Sequence, residues 1–241
     1  MSPYMYKKNK IDSIQANIYK KRNYKVEKFT VDSLQNLYAN LDRYEDSLLL
    51  NMTNEIPRSY VLFWRIVGKF ESKGFKHEYL TIFNNLHLTI KKSSAGIIFE
   101  DDLKKAKEVA IGNIFPNLNF QNKKIRSNFG KKYTLIDFWF SYCVPCLEQI
   151  PKYKEIYSLY KHTGFEMVNI STDRTRDIKK WEKVIQEKQL NWIHYLDENG
   201  VKAKYYNINK FPTNFLLDST GKIIKKDISP EDLNIFLSEN N

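Results

Sequence analysis

One junction constrains this chain more than any other. The run YTLIDFWF, residues 133–140, is almost continuously apolar, and it breaks within three residues into Cys143-Val144-Pro145-Cys146, which opens a helical stretch. An unbroken apolar strand has to be covered on both faces, so it belongs in a sheet with layers on either side, an α/β arrangement. Cys143 and Cys146 are the only cysteines in the chain. Three readings of such a pair are open: half of a metal site, a structural bridge, or a dithiol that opens and closes. A zinc site needs two further ligands, and His77, His87, His162 and His194 are not paired at ligand spacing. A bridge over two intervening residues closes too small a loop to constrain the unfolded chain much. Redox chemistry fits the placement better. A thiol at a helix N-terminus faces free backbone N–H groups and the positive end of the helix dipole, which lowers its pKa from about 8.5 toward neutrality. Cys146, one turn on, is expected to turn inward and reach the first sulfur. Pro145 suits the opening turn.

The pattern on either side of residue 110 differs. Before it, apolar residues recur at helical spacing: Ile11, Ile14 and Ile18, then Leu34, Leu37, Leu41, Tyr44 and Leu48, with Thr30 as the expected N-cap of the second helix. IPRSYVLFWRIVGKF and HEYLTIFNNLHLTI read as further helices, SSAG (residues 93–96) as a break, and EDDLKKAKEVA as a charged last helix. Residues 1–110 are therefore expected to be an all-helical region and 111–241 a separate α/β domain. In the second half, IGNIFPNLNFQNKKI predicts a short strand pair with Asn and Gln at the bend. A helix over residues 144 to about 161 follows the 133–140 strand and is expected to kink at Pro151. GFEMVNIST reads as a buried strand, RDIKKWEKVIQEK as a helix with Ile178, Trp181 and Ile185 on one side, and TNFLLDSTGKIIKK as a hairpin. Ser229, Pro230 and Asp232 start a last helix that turns Leu233, Phe236 and Leu237 inward. The expected order is β-α-β-α-β-β-α.

The net charge is +11, but the lysines lie along amphipathic segments with no Arg-rich block, so nucleic acid is not an expected partner. No apolar run reaches the length of a transmembrane span. The first residues also lack an apolar stretch of signal-peptide length.

Three separated stretches of the second half resemble the thioredoxin superfamily, and within it the TlpA/ResA-like thiol-disulfide reductases that border on the AhpC/TSA group. DFWFSYCVPCLEQIP is similar to the family's strand, active-site turn and proline-containing helix. YNINKFPTNFLLDSTGKII is similar to its cis-proline segment with the strand and Gly turn that follow. IGNIFPNLNF is similar to an N-terminal extension found in those branches. The resemblance implies a thioredoxin-like fold, a central mixed sheet flanked by helices, and assigns Cys143 as nucleophile and Cys146 as resolving thiol. It makes Asp137 a buried carboxyl beneath the dithiol, with its pKa raised so that it can exchange a proton as Cys146 reacts. It also implies a cis bond before Pro212, with Phe211, Tyr142, Val144 and Pro145 lining the substrate groove, and it leaves Trp139 to packing. Gln149 stands where TlpA-like proteins usually carry Glu, with Glu148 just before it, and Lys210 stands where Gly is often found.

The implied activity is thiol-disulfide oxidoreduction, acting as a reductase, with the Cys143–Cys146 disulfide as the redox carrier and no other cofactor or metal. Partners would be disulfide-containing client proteins and an upstream thiol electron donor, and the compartment would be the periplasm or cell envelope, with the cytoplasm as the alternative. Two other functions stay open. A peroxidase of AhpC/TSA type lacks its Thr at the needed distance before Cys143, and a scaffold protein would carry the dithiol incidentally. The first half resembles the helical region preceding such modules in envelope proteins of Gram-negative bacteria. Those usually begin with a leader and a small β domain, so the expectation here is a mature, truncated or front-shortened form.

Overall fold

A computed structural model describes residues 2–20, 28–120 and 123–240. It divides into two compact units, Met1–Glu100 and Asp101–Asn241. The division falls before residue 110, inside the helix Ser94–Glu108.

The first unit is helical: α1 (Pro3–Lys20), α2 (Lys28–Glu55), α3 (Tyr60–Lys73), α4 (His77–Asn85), α5 (Leu88–Lys91) and the start of α6 (Ser94–Glu108). Its core is aromatic. Phe99 meets Phe63, Phe70 and Phe83 edge-on, with centroids 5.8, 5.5 and 5.5 Å apart, the arrangement that the ring quadrupole favours. The buried Lys69 ammonium is held by Asp42, Glu45 and Asp46 of α2 at 2.6–2.9 Å. Lys76 shares Asp42 and Asp46, so no charge of this set is buried alone.

Several expectations for this unit are corrected. α2 begins at Lys28, so Thr30 lies inside it instead of capping it. Ile14 and Leu37 are exposed, so the α1 and α2 stripes are only partly covered, and the side chain of Ile18 lies outside the described residues. HEYLTIFNNLHLTI is two helices, because Leu86 and His87 are extended and the His87 ring accepts the Thr89 N–H as a new cap. Of SSAG only Ser93 is a break. Its hydroxyl accepts the Gly96 N–H, and α6 starts at Ser94, earlier than the charged stretch.

The second unit has a five-stranded sheet of order β5-β4-β3-β6-β7, flanked by helices. Its elements in sequence are β1 (Asn119–Phe120), β2 (Lys123–Lys124), β3 (Tyr133–Trp139), α7 (Val144–Tyr160), β4 (Phe165–Ser171), α8 (Ile178–Glu187), β5 (Ile193–Leu196), α9 (Val201–Tyr205), β6 (Thr213–Asp218), β7 (Ile223–Lys226) and α10 (Pro230–Asn240). β3 lies parallel to β4 and antiparallel to β6. Its alternate residues feed two cores: Ile136 and Phe138 on one face, Leu135 and Trp139 on the other. The second face is covered by α7 and α10. The first is covered largely by Val109, Phe115, Leu118, Phe120 and Ile125, together with Ala203 of α9.

The strand pair β1–β2 forms as expected, although its bend residues Gln121 and Asn122 lie outside the described residues. The preceding segment does more than lead in. Gly112 and Phe115 donate to Ile223 and Gly221, and Asn113 accepts from Ile223, which covers the start of the free edge of β7. The sequence-predicted order lacks β5 and α9. The capping of α10 is as expected: Ser229 accepts the Asp232 N–H at 3.1 Å and donates to its carboxylate, while Leu233 and Leu237 are fully buried. Pro151 lies inside α7.

Gly130 shows how tightly the two central strands begin. A Cβ there would lie 2.3 Å from the Tyr133 carbonyl oxygen and 2.6 Å from that of Gly164, both backbone. Gly130→Ala is expected to cost about 1–3 kcal/mol, read as a lower midpoint of urea unfolding. An unchanged midpoint would show that the strand starts can spread without penalty.

Candidate active site

The antiparallel pairing of β3 with β6 sets Phe138 opposite Thr213. The segments just beyond, 140–143 and 210–212, therefore meet at one end of the sheet, the carboxyl end of the parallel strands where open α/β sheets place their sites. There Cys143 and Cys146 are joined as a disulfide, S–S 2.05 Å, with Cα atoms 5.3 Å apart. Cys143 is the N-cap of α7, and its sulfur accepts the Cys146 backbone N–H at 3.3 Å. Pro145 sits in the opening turn, where no partner for its missing N–H is needed. Both cysteines are nearly buried, whereas Val144 (63% exposed) and Tyr142 (42%) stand above them.

The peptide bond from Phe211 to Pro212 is cis. Phe211 packs against the core cluster that contains both cysteines. Its ring lies 5.3 Å from Phe140, and Phe140 lies 4.4 Å from Tyr142, so three aromatic rings run in series beside the disulfide. The Lys180 ammonium stands 5.3 Å from the Tyr142 ring centre, within cation–π range.

Asp137 sits between Leu135 and Trp139 on the β3 face that packs against α7. It is 4% exposed. Its Oδ2 accepts a hydrogen bond from Asn169 Nδ2 at 3.2 Å, while Oδ1 has no partner. Burial without a counter-charge disfavours the carboxylate and pushes its pKa up to about 8. The register sets Asn169 of β4 and Asn214 of β6 on either side of Asp137, forming a polar row through an otherwise apolar core. Trp192 Nε1 donates to Asn169 Oδ1 at 2.9 Å. Asn214 donates to the Ile228 carbonyl and to the Tyr153 hydroxyl, and accepts the Ile228 N–H.

A second buried acid fixes the turn itself. Asp173, fully buried, accepts both the backbone N–H of Ser141 (2.9 Å) and its hydroxyl (2.7 Å), and also the Ser171 hydroxyl (2.6 Å). The chain two residues before Cys143 is thereby tied to the end of β4.

All eight residues singled out from the sequence lie in this region: Cys143, Cys146 and Asp137 in the interior, Tyr142, Val144 and Pro145 on the turn, and Phe211 and Pro212 on the facing segment. Trp139 is buried, with its indole N–H unpartnered. Glu148 is exposed, and Gln149 is half-buried with Oε1 unpartnered. Sequence reasoning missed Phe140, Ser141, Tyr153, Asn169, Asp173, Trp192 and Asn214. A signal existed for part of the set, since MVNIS and TNFLL each carry one carboxamide inside an apolar strand, as LIDFW carries one acid. Among the described residues no group of three or more His, Cys, Asp or Glu is placed to hold a metal ion. His194 is half-buried beside Trp192 and Trp139, its pKa pushed down to about 4 by burial.

A helix-capping dithiol, a buried acid behind it and a cis-proline segment facing it, all on a β5-β4-β3-β6-β7 mixed sheet, define a thioredoxin-class module. Known proteins bear this out. Residues 130–223 match the thioredoxin-like family profile. The chain is 28% identical over 150 residues to thiol-disulfide oxidoreductase ResA of Bacillus cereus, covering 60% of this chain and 86% of that one. It is 29% identical over 126 residues to sporulation thiol-disulfide oxidoreductase A of Bacillus subtilis, covering 52% and 76%. A crystal structure of a thioredoxin-like protein from Bacteroides caccae shares the fold over 91% of this chain and 87% of its own, with TM-score 0.65 and 16% identity. Residues 130–223 are thus a thioredoxin-like domain, and the chain is similar to the ResA-like thiol-disulfide oxidoreductases.

The raised pKa of Asp137 has a signed consequence for stability. In the unfolded chain this acid ionises near its ordinary value of 3.8, and in the folded protein only near 8. Between those values the folded state holds a proton that the unfolded state has lost, so its contribution is full below about pH 4 and declines as pH rises to 8. The decline is about 1.4 kcal/mol per pH unit where Asp137 alone titrates. Asp137→Asn is therefore expected to make the oxidised protein more stable than wild type at pH 8.5, with a smaller gap at pH 5, in urea unfolding. A variant gap independent of pH would contradict the burial argument.

Proposed function

We infer that the chain is a thiol-disulfide oxidoreductase that works as a reductase of client disulfides through Cys143 and Cys146. The observation that carries this reading is the disulfide at the start of α7 with the unpaired acid Asp137 on the strand behind it. In the reduced protein the N–H groups that open α7, including that of Cys146, stabilise a thiolate on Cys143. That thiolate attacks one sulfur of a client disulfide, forming a Cys143–client disulfide and expelling the other client sulfur as a thiolate. Cys146 then gives up its proton to Asp137 and attacks Cys143 Sγ, releasing the second client thiolate. Two electrons pass to the client and the Cys143–Cys146 disulfide is restored. An upstream thiol donor reduces it again, and the disulfide is the only redox carrier the cycle needs.

The client enters as an extended segment beside the cis Phe211–Pro212 bond, with Phe211, Tyr142, Val144 and Pro145 lining its path. ResA-like relatives support a place in the cell envelope, periplasmic where there are two membranes, and a part in thiol redox balance there. Among the described residues no helix is long and apolar enough to cross a membrane.

In an insulin-type disulfide reduction assay, Cys143→Ser is expected to abolish turnover. Cys146→Ser is expected to accumulate mixed disulfides, visible as adducts on non-reducing gels. Retained turnover in Cys143→Ser would overturn this mechanism.

A further inference from the structure

Asp137 has two carboxyl oxygens in different situations, and the reason lies two residues away. Trp192 Nε1–H is a donor only, having no lone pair to offer. The Asn169 atom that faces it at 2.9 Å must be the carboxamide oxygen. The Asn169 nitrogen is thereby turned the other way, toward Asp137 Oδ2 at 3.2 Å. Were the amide reversed, its NH2 would confront the indole N–H, two donors face to face in the core, and its oxygen would confront the carboxyl.

Trp192 cannot easily move to allow that reversal. It is 8% exposed, stacked on His194 with ring centres 5.9 Å apart and met edge-on by Tyr157 at 5.7 Å. The His194 ring is in turn hydrogen-bonded through Nε2 to the Leu190 carbonyl, so it donates there and stays neutral. On the other side of Asp137, Asn214 directs its amide N–H groups to the Ile228 carbonyl and the Tyr153 hydroxyl.

We propose that Trp192 and Asn169 act as a positioning pair that dictates which oxygen of Asp137 exchanges the proton. Oδ2 is held as an acceptor, and the proton enters and leaves at Oδ1, the oxygen with no partner. This rests on the reductase reading, in which Asp137 takes the proton of Cys146.

The pair also sets how tightly that proton is held. A donated N–H favours the charged carboxylate, whereas a reversed amide would accept from the protonated acid and favour the neutral form. Asn169 as locked therefore moderates a proton affinity that burial alone would push higher. The groups that could otherwise bias Asp137 are few. From α7 there are Tyr153 and, in the reduced protein, the Cys146 thiol. From β4 and β6 there are only uncharged carboxamides. Beside Trp192 stand neutral His194 and Tyr157, whose hydroxyl is pushed up to about 12 by burial.

The test uses the oxidised full chain, with carboxyl-13C NMR to titrate Asp137 and 15N–1H NMR to follow the indole of Trp192. In wild type the Trp192 indole signal is expected to shift with the same midpoint as Asp137, and that shift should vanish in Asp137→Asn. Trp192→Phe keeps the ring and removes the N–H. It is expected to make Asp137 bind its proton about three to ten times more tightly, moving the pH profile of disulfide reduction toward alkaline pH in parallel. Asn169→Leu should do the same, and the double variant should go no further than Asn169→Leu alone, since Trp192 acts only through Asn169.

A midpoint unchanged by Trp192→Phe, or shifts that add in the double variant, would overturn the proposal. If Trp192→Phe does not fold, an indole signal in wild type that stays flat through the Asp137 titration overturns it by itself. These titrations are read without turnover, so they stand apart from the Cys143→Ser result that decides the reductase reading.

Discussion

The constraint on which the second unit depends is a carboxyl group buried in the middle of the central strand. Asp137 has no counter-charge, and an unpaired buried acid is tolerated only if it stays neutral through most of the physiological range. Its neighbours are arranged to that end. They are carboxamides and an indole, groups that can hydrogen-bond to a carboxyl without forcing its ionisation. The row Asn169–Asp137–Asn214 runs across three adjacent strands, and each of its two amides is tied to a further partner, Trp192 or the Ile228 backbone. Leaving one such group unsatisfied would cost about 1–3 kcal/mol. The row therefore requires β3 to be central and both of its neighbours to keep their register, because a one-residue slip of any of these strands would turn its own polar side chain into the opposite core.

The rest of the site is geometry imposed on that row. The parallel β3–β4 pair carries the cysteine turn, and the antiparallel β6 returns the cis-proline segment to the same end of the sheet. Two separate anchors keep the turn in place. Asp173 grips Ser141 from the end of β4, and α7 begins on Cys143 itself. The rings of Phe140, Phe211 and Tyr142 fill the space between turn and cis-proline segment, leaving Val144 and Pro145 to face outward. The first unit is built by different means, an aromatic cluster around Phe99 and a lattice of carboxylates around Lys69 and Lys76.

The elements legible in the sequence were those whose signal is local. The apolar run of β3 leading into a Pro-containing helix start, the Ser229–Asp232 cap and the Gly221 turn of the β6–β7 hairpin are all fixed by residues within a few positions of one another. What was not legible depends on contacts distant in sequence. β5 is a four-residue strand, IHYL, that mixes polar and apolar side chains and forms a strand because β4 offers it an edge. α4 and α5 share a continuous helical periodicity, yet His87 N–H donates to the Pro57 carbonyl and the chain breaks there. Thr30 looked like a cap because capping residues are recognised by type, while the helix start is decided by where the backbone turns. The cis bond at Pro212 came from family resemblance and not from the residues themselves. Asp173 looked like one more loop acid, and only the fold brings it to Ser141, 32 residues away.

The two sulfurs of the dithiol meet two different electrostatic devices, and this division explains why both are present. Cys143 lies at the end of the helix, where backbone N–H groups stabilise its thiolate without any proton acceptor. Cys146 lies one turn in, with its own N–H already directed at Cys143 Sγ, so the helix terminus does little for it. For a thiol in that buried position to react, the core has to offer a base that is not permanently charged. A lysine or histidine there would have to be buried as a cation or give up its proton, and an exposed carboxylate could not reach. The proposed reductase cycle gives that task to Asp137, a neutral acid whose pKa burial has moved to about 8, close enough to working pH to exchange a proton in either direction.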